Sequence, residues 1–322
     1  MLKKPVSGMF TRTTDPTNLD KVLSDIKADF TAIKTTAYDV KVDPITGKTE
    51  LKANPFMSNI IHKENNVIIG AASADYGLVQ YKDAVGFLKD MMENKEVIVP
   101  LASLTFGGAR LHLLCTTDET INLPGNDTIS CFFSVSTSHN RSLSMTVSCT
   151  PVHGGSQTIF TPFSNSVVEI RHTVNVEERM RQAKVTLTKV KDFWKKYADM
   201  FHRLANTECD SERRTLLLED LMPGDSTRVV NVKEKITDIF NSGPTSTLAS
   251  CKETLFGLVI AIQIYADYYK TVRTNKFGYD EVSMRVESRL TGDGAKLKAK
   301  SFQLAVEKID SFAIGLKLAG IA

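Results

Sequence analysis

The longest regular pattern of hydrophobic positions lies in the middle of the chain, where apolar residues recur at alternating spacings of three and four. The positions are Met180, Ala183, Leu187, Val190, Trp194, Tyr197, Phe201 and Leu204. This spacing places them all on one face of an α-helix. Asn175, with Glu178 three residues later, is typical of a helix N-cap. The pattern therefore predicts one long amphipathic helix, from about residue 176 to residue 206, with one face committed to packing.

Before this helix the hydrophobic positions alternate with polar ones, which is typical of half-buried strands. The predicted strands are 109–114, 128–136, 143–149, 157–160 and 167–171, and short turn-forming segments join them. Short connections favour antiparallel neighbours. We therefore predict an α+β fold, in which an antiparallel sheet meander is packed by the long helix and followed by a mainly helical C-terminal region.

The remaining elements follow from the same patterns. An N-terminal helix is predicted at 18–33, hairpins at 38–42 with 49–52 and at 58–62 with 67–71, a helix at 83–93 and a strand at 97–101. C-terminal helices are predicted at 209–221, 232–240, 248–274 and 296–317. These elements suggest three regions: an N-terminal helix and hairpin (1–54), a core of sheet plus long helix (55–207), and a helical region packed on that core (208–322).

Charge is distributed unevenly along the chain. The net charge is only +3, yet residues 176–204 and residues 270–300 each contain eight lysines and arginines against four acids. Within the long helix, Arg181, Lys184, Lys191 and Lys195 form a stripe beside the apolar face. Two interpretations remain open, a solvated helix face and a surface that binds a polyanion.

The cysteines and the hydropathy of the chain indicate the cellular compartment in which the protein is expected. Five widely spaced cysteines without a CxxC pair indicate buried thiols and argue against a disulfide framework or a structural zinc site. The most apolar run, 255–266, is too short to span a bilayer. We therefore expect a cytoplasmic protein without a membrane segment.

Several short motifs resemble a family of proteins of unknown function that is common in phages and plasmids. They are Ile60-Ile61-His62-Lys63, Val67-Ile68-Ile69-Gly70, Tyr76-Gly77-Leu78-Val79-Gln80, Gly107-Gly108-Ala109-Arg110, Ser138-His139-Asn140-Arg141-Ser142, Ile170-Arg171-His172-Thr173 and Gly292-Asp293-Gly294-Ala295-Lys296. The resemblance covers roughly residues 55–306. It implies a phage or plasmid setting rather than a particular activity. If a phage encodes the protein, the expected location is the cytoplasm of the host cell.

No spacing of residues identifies a catalytic centre. The pairs His112 with Cys115 and Cys149 with His153 lack a second pair at ligand spacing, so we interpret them as packing residues. The segment 292–296 lacks the GK[ST] ending of a phosphate-binding loop. We predict no cofactor and no metal, and the sequence favours a protein that is not an enzyme. An enzyme acting on nucleic acid through His139 and His172 remains an alternative.

The leading hypothesis is a protein of phage or plasmid DNA metabolism that binds nucleic acid. A strand meander that leads into a long basic helix resembles the phage annealing proteins of the Beta and Erf types, which implies single-strand annealing in recombination and a homo-oligomer. We expect single-stranded DNA as the partner, held by phosphate contacts. The candidate residues are Arg110, Arg141, Arg171, His172, Arg181, Lys184, Lys191, Lys195, Lys296 and Lys298. A non-enzymatic oligomer, acting as a structural protein or an antagonist of host defence, is the alternative.

Overall fold

The computed structural model describes residues 9–161, 167–170, 193–272 and 280–318. The strands in these residues are β1 (Thr11–Arg12), β2 (Ala32–Val42), β3 (Thr49–His62), β4 (Ile68–Ser73), β5 (Ile98–Thr105), β6 (Arg110–Leu123), β7 (Asp127–Ser138), β8 (Met145–Cys149), β9 (Val152–His153), β10 (Thr158–Ile159) and β11 (Val167–Ile170).

The strands form two antiparallel sheets. The larger sheet has eight strands in the described part of the chain, in the order β1-β5-β6-β7-β8-β11, with the β9–β10 hairpin attached to β7. The smaller sheet has the order β2-β3-β4. β5 pairs with β6, β6 with β7, and β7 with β8. The predicted antiparallel meander is therefore confirmed.

Helices lie before and after the strands of the larger sheet in the sequence, and they pack against it. The helical segments are α1 (Leu19–Asp25), α2 (Tyr81–Ala84), α3 (Phe87–Glu93), α4 (193–205), α5 (Ser211–Leu221), α6 (Thr227–Ser242), α7 (Leu255–Ile264), α8 (Glu281–Leu290) and α9 (Asp293–Leu318). A single π-helical turn, Tyr265–Tyr269, continues α7. The predicted α+β class with a helical C-terminal region is confirmed.

Different helices pack against the two faces of the larger sheet. On one face, Leu111, Leu113 and Phe133 join the main hydrophobic core together with residues of α4, α7 and α9. On the other face, Leu114 packs in a smaller cluster that includes Val286 of α8. Because successive side chains of a strand point to opposite faces, β6 contributes to both clusters.

The apolar face of the long helix is buried where the structure describes it. Trp194, Tyr197, Phe201 and Leu204 all lie in the main core. Tyr197 and Phe201 contact Phe302 of α9, with ring centroids 6.1 and 5.4 Å apart. The part of the predicted helix between residues 176 and 192 lies outside the described residues.

The N-terminal helix is shorter than predicted. It ends at Asp25, and Lys27 adopts a left-handed backbone conformation with φ of 58°. The Ala28 amide then donates to the Leu23 carbonyl at 2.8 Å, which closes the helix end. Residues from Ala32 onward enter β2. The apolar spacing that predicted a helix to residue 33 therefore spans a helix end, a turn and a strand.

The two predicted hairpins share one strand. Segments 49–52 and 58–62 both belong to β3, although Pro55 lies between them. The β2–β3 register shifts between Thr36 and Tyr38, and this irregularity accommodates the proline, which cannot donate a ladder hydrogen bond. The proposed division into three regions stays a prediction, and its boundary at residue 54 falls inside β3.

The predicted helix at 248–274 is also shorter. Turns occupy 248–253, and α7 begins after Thr254, whose side chain accepts a hydrogen bond from the Gly257 amide at 3.0 Å. All ten residues of α7 are buried, so this helix runs through the core. Its helical path ends with the π turn before Lys270.

The prediction of buried thiols is confirmed. All five cysteines are free and buried. Burial raises the pKa of Cys209 and Cys251 to about 12, which keeps these thiols protonated. None of the helices in the described part of the chain combines the length and the apolar composition needed to cross a bilayer.

Candidate nucleic-acid interface

Five of the predicted binding residues belong to a segment that the structure does not describe. They are Arg171, His172, Arg181, Lys184 and Lys191, and their roles stay predictions. The strand that precedes this segment, β11, is described, and its last residue, Ile170, pairs with Met145 of β8. The described strand therefore ends at the same end of the sheet as the turn that follows β7.

That turn, residues 139–144, brings two predicted arginines to one place. The Arg110 guanidinium forms an ion pair with Glu287, donates from Nε to Ser142 Oγ at 2.9 Å and lies 4.6 Å from the Phe106 ring centroid. Arg141 is exposed and donates from Nη1 to Ser73 Oγ at 3.0 Å. Arg110 thus joins the turn to α8, whereas Arg141 presents its guanidinium at the surface.

His139, which the enzyme alternative invoked, is the first residue of this turn and is buried. Its Nδ1 lies 3.0 Å from the Val79 carbonyl oxygen. Its ring stacks on Tyr81, with centroids 3.7 Å apart. These contacts fix the ring inside the structure, where a nucleic-acid substrate does not reach it.

Lys298 lies in the core, which corrects its prediction as a phosphate-binding residue. Its side chain is fully buried, and Nζ donates to Asp267 Oδ1 at 2.9 Å and to the Ile159 carbonyl oxygen at 2.7 Å. Burial lowers the pKa of Lys298, and the Asp267 carboxylate acts in the opposite direction. The basic residues of α9 look alike in the sequence, but helical geometry points this one inward.

Lys195 and Lys296 lie at the surface, as a binding role requires. Lys195 is exposed on α4. The side chain of Lys296 is 78% exposed, and its Nζ lies 3.9 Å from Asp293. At this exposure the ion pair is weak and leaves the ammonium free to contact another anion.

A cleft that the sequence did not reveal lies close to Lys296. It has a volume of about 860 Å³, and its lining includes residues from α6, from the π turn and from the first turn of α9. We call the five residues Arg228, Lys235, Lys270, Tyr265 and Tyr269 the basic cleft. Three of these residues are cations, and the lining includes one carboxylate, that of Asp293. The wall of the cleft therefore carries an excess of positive charge.

Helix α6 supplies two of the cations because of their spacing. Arg228 and Lys235 are seven residues apart, close to two helical turns, and therefore share one face. Ile236, Ile239 and Phe240 occupy the buried face of the same helix. The helix is fixed by its apolar side while its basic side lines the cleft.

The π turn supplies the two tyrosines. Lys270 N donates to the Tyr265 carbonyl oxygen at 2.8 Å, which is the i+5 hydrogen bond of a π turn. Tyr265 and Tyr269 are half-buried in the cleft wall, whereas Asp267 and Tyr268 are buried. The Lys235 ammonium lies 4.7 Å from the Tyr269 ring centroid, within cation–π range. Burial raises the pKa of Tyr265, and Arg228 acts against that rise.

A buried ionic network holds this turn in place. The Asp267 carboxylate accepts from Lys298 and from the Ile159 amide, the latter at 3.1 Å. Arg289 donates to the Asp267 carbonyl oxygen at 2.7 and 3.2 Å. The network joins β10, α8 and α9 to the turn, so the tyrosines project from a rigid base.

A second buried cluster contains groups that bind metals in other proteins. One ligand atom each from Asp127, His153 and Cys251 lies within 4.8 Å of the others, and these residue types are ligands for zinc. His153 Nε2 lies 2.6 Å from Asp127 Oδ2, and the same oxygen accepts from Ser250 Oγ at 2.5 Å.

These donors and acceptors satisfy one another. Burial raises the pKa of Asp127, but the hydrogen bonds from His153 and Ser250 outweigh it and leave the pKa below its usual value. His153 Nδ1 also lies 2.8 Å from Ser156 Oγ. We interpret the cluster as a hydrogen-bonded connection between the sheet and the segment before α7.

Comparison with known protein families gives a match over the middle of the chain. Residues 68–289, well over half of the chain, match the Domain of unknown function (DUF932). The chain belongs to this family. The DUF932 region begins at β4 and ends in α8, so it contains the 139–144 turn, α6 and the π turn. The chain matches no curated protein and no solved structure.

Proposed function

We propose that this DUF932 protein binds nucleic acid, with single-stranded DNA as the preferred partner, and acts in the DNA metabolism of a phage or plasmid, for example in annealing during recombination. The observation that carries the proposal is the basic cleft. Three cations and two tyrosines line one concave surface. Proteins that bind single strands without sequence preference combine these two features, since cations follow the phosphates and aromatic rings stack on bases.

The cleft gives each residue type a role. Arg228, Lys235 and Lys270 neutralise phosphates. Tyr265 and Tyr269 offer ring faces that stack with any base, so we expect little sequence preference. Lys296 lies beside the cleft and extends the positive surface along α9.

A salt titration of DNA binding tests the role of the cations. Fluorescence anisotropy with a labelled oligo-dT is measured between about 50 and 200 mM salt, a range over which binding through phosphates weakens strongly. The variant Arg228→Gln/Lys235→Gln/Lys270→Gln should bind more weakly. Its slope of log affinity against log salt should flatten by about 0.7 for each phosphate that the variant no longer neutralises.

The matched control removes the same charge elsewhere. Lys63, Lys89 and Lys252 are exposed and lie outside every predicted binding surface. Their triple substitution with glutamine should leave affinity and slope close to those of the wild type. Equal reductions of affinity in both variants would assign binding to net charge and remove the cleft from the proposal.

The tyrosines are tested by a matched pair of substitutions. Tyr269→Ala removes the ring and should weaken binding by about 1–3 kcal/mol, the usual range for one stacked base. Tyr269→Phe keeps the ring and should bind nearly as the wild type does. If the phenylalanine variant binds as weakly as the alanine variant, the hydroxyl and not stacking is responsible.

The stripe on the long helix remains a separate prediction. Replacing Arg181, Lys184, Lys191 and Lys195 with glutamine should flatten the salt slope further if the strand runs from the cleft onto that helix. Weaker binding in this variant alone would move the interface from the cleft to the helix. Wild-type protein that binds no DNA at low salt would end the proposal.

The alternative function is a non-enzymatic oligomer that acts as a structural protein or an antagonist of host defence. One observation favours it: apolar residues of the β2–β3 hairpin, including Tyr38, Val40 and Leu51, are exposed. Oligomer formation is also compatible with DNA binding. Oligomers that do not bind DNA would support the alternative alone.

A further inference from the structure

We propose that two copies of this chain associate through the β2–β3 hairpin, with the outer edge of β2 in one copy pairing antiparallel to the same edge in the second. The segment concerned is residues 38–53, which we call the arm. Every residue of the arm is exposed. The inference rests on the geometry of the arm and is independent of DNA binding.

The arm is amphipathic, although no described residue covers its apolar face. Tyr38, Val40 and Val42 alternate along β2 and are 58%, 62% and 57% exposed. Val40 pairs with Leu51 of β3, which is 65% exposed and therefore on the same face. The opposite face carries the cross-strand pairs Asp39 with Lys52 and Lys41 with Glu50. When two arms pair edge to edge, these apolar residues of both copies lie on the same face of the joint sheet and contact one another.

Within the described part of the chain, the arm also lacks a third strand. β4 pairs only with residues 57–61 of β3, so the arm is a two-stranded ribbon. Such a ribbon is marginally stable alone, and its edges leave backbone amides and carbonyls without strand partners. β2 is the outer strand of the small sheet. A strand from a second copy would provide the missing ladder there.

The charges on β2 select one register for that pairing. With Val40 opposite Val40 of the second copy, Asp39 faces Lys41 of the second copy, and the symmetry repeats this pair. Tyr38 then faces Val42 of the second copy on the apolar side. Opposite charges and aromatic–β-branched contacts are the stabilising cross-strand pairs in antiparallel sheets. β2 is thus complementary to itself.

The outer edge of β3 within the arm is a weaker candidate for the same contact. Centred on Leu51, it would match Glu50 with Lys52 of the second copy, so its charges also fit. Its remaining apolar-side residues are Thr49 and Ala53, which offer less contact area than Tyr38 and Val42. The β2 edge is therefore the favoured partner, and cross-linking separates the two.

The pairing is short, since only Tyr38–Val42 is engaged in this register. We therefore expect a dimer that dissociates on dilution. Sedimentation velocity over a concentration series should show dimer for the wild type and monomer for Val40→Asp, which places two carboxylates together at the two-fold axis. Leu216→Asp, an exposed apolar position on α5, is the control and should dimerise normally. A wild type that stays monomeric at the highest concentration overturns the proposal.

Charge exchange tests the register. Asp39→Lys/Lys52→Asp keeps an opposite-charge pair within the arm but sets two cations against each other across the two-fold axis. Dimer affinity should fall about tenfold, which corresponds to about 1.4 kcal/mol shared between the two repulsive pairs. Adding Lys41→Asp and Glu50→Lys restores complementarity both within the arm and between copies, and affinity should return. If affinity stays low, the register is wrong.

Cysteine cross-linking decides between the two edges. The five native thiols are buried, so a single introduced cysteine is the reactive one. Under mild oxidation Val40→Cys should form a disulfide-linked dimer in high yield, and Leu51→Cys should form little. The reverse result would overturn pairing through β2.

Discussion

The β6–β7 pair and the β2–β3 arm are both long antiparallel hairpins, yet they have opposite surroundings. β6 and β7 pair from Arg110 with Ser138 to Leu123 with Asp127, and clusters of apolar residues cover both of their faces. The arm has equally regular alternation, and every one of its residues is exposed. Alternation therefore identifies a strand and its apolar face. Whether that face is buried depends on elements far away in the chain or on another molecule.

The largest expected difference between these regions concerns their charged groups. Asp267→Ala leaves Lys298 and Arg289 as buried cations without their carboxylate, and we expect a reduction of about 3–5 kcal/mol in unfolding free energy. Asp39→Ala in the arm removes an exposed carboxylate that accepts from Asn54 Nδ2 at 3.1 Å and should cost less than about 1 kcal/mol. Urea denaturation measures both. Similar costs would show that the buried network adds nothing to stability.

Two leucines make the same comparison for apolar groups. Leu113 of β6 is fully buried, whereas Leu51 of β3 is 65% exposed. Leu113→Ala should therefore cost about 2–5 kcal/mol, because it removes buried apolar surface and leaves a cavity. Leu51→Ala should change the stability of the monomer by no more than about 0.5 kcal/mol. A large cost at Leu51 in monomeric protein would mean that the arm packs against its own chain.

The buried histidine of β6 makes the sheet sensitive to acid. Burial lowers the pKa of His112 to about 4, and the nearby Glu287 opposes this shift. The unfolded chain binds this proton near pH 6.5 but the folded chain does not, so stability falls as the pH drops from 6.5 to 4. The shift corresponds to about 3 kcal/mol at pH 4.

Comparing urea denaturation at pH 7 and pH 4.5 with that of His112→Gln tests this assignment. The variant should lack the part of the pH dependence that lies in this window. An unchanged pH dependence would assign it to other groups. The arm contains no histidine, and the uncharged substitution Leu51→Ala should leave the pH profile unaltered.

Much of the fold could be predicted because its signals are local. Alternation identified the strands from β6 to β8, and the spacing of Trp194, Tyr197 and Phe201 identified a buried helix face. Errors arose at two changes of the backbone. At Lys27 one apolar spacing continued past the end of a helix, and at Pro55 a single strand was predicted as two separate segments. A left-handed residue or a bulge alters chain direction without changing hydrophobicity.

The candidate site was harder to predict because its parts are distant in sequence. Arg228, Tyr265 and Tyr269 meet only after α6 and α7 pack together. The π turn directs the tyrosines to the surface and Asp267 to the core. No spacing of hydrophobic residues in the sequence predicts such a turn. Lys298 illustrates the same difficulty, since charge in a sequence does not reveal burial.

Helix α7 has a consequence for the order of folding. All its residues are buried, and they share the main core with residues of β6 and β7, which lie far earlier in the chain. During synthesis the sheet emerges long before the helix that completes its core, and contacts between such distant segments form slowly. We therefore expect the nascent chain to expose sheet surface until residues 255–264 leave the ribosome, and to need protection from aggregation in that interval.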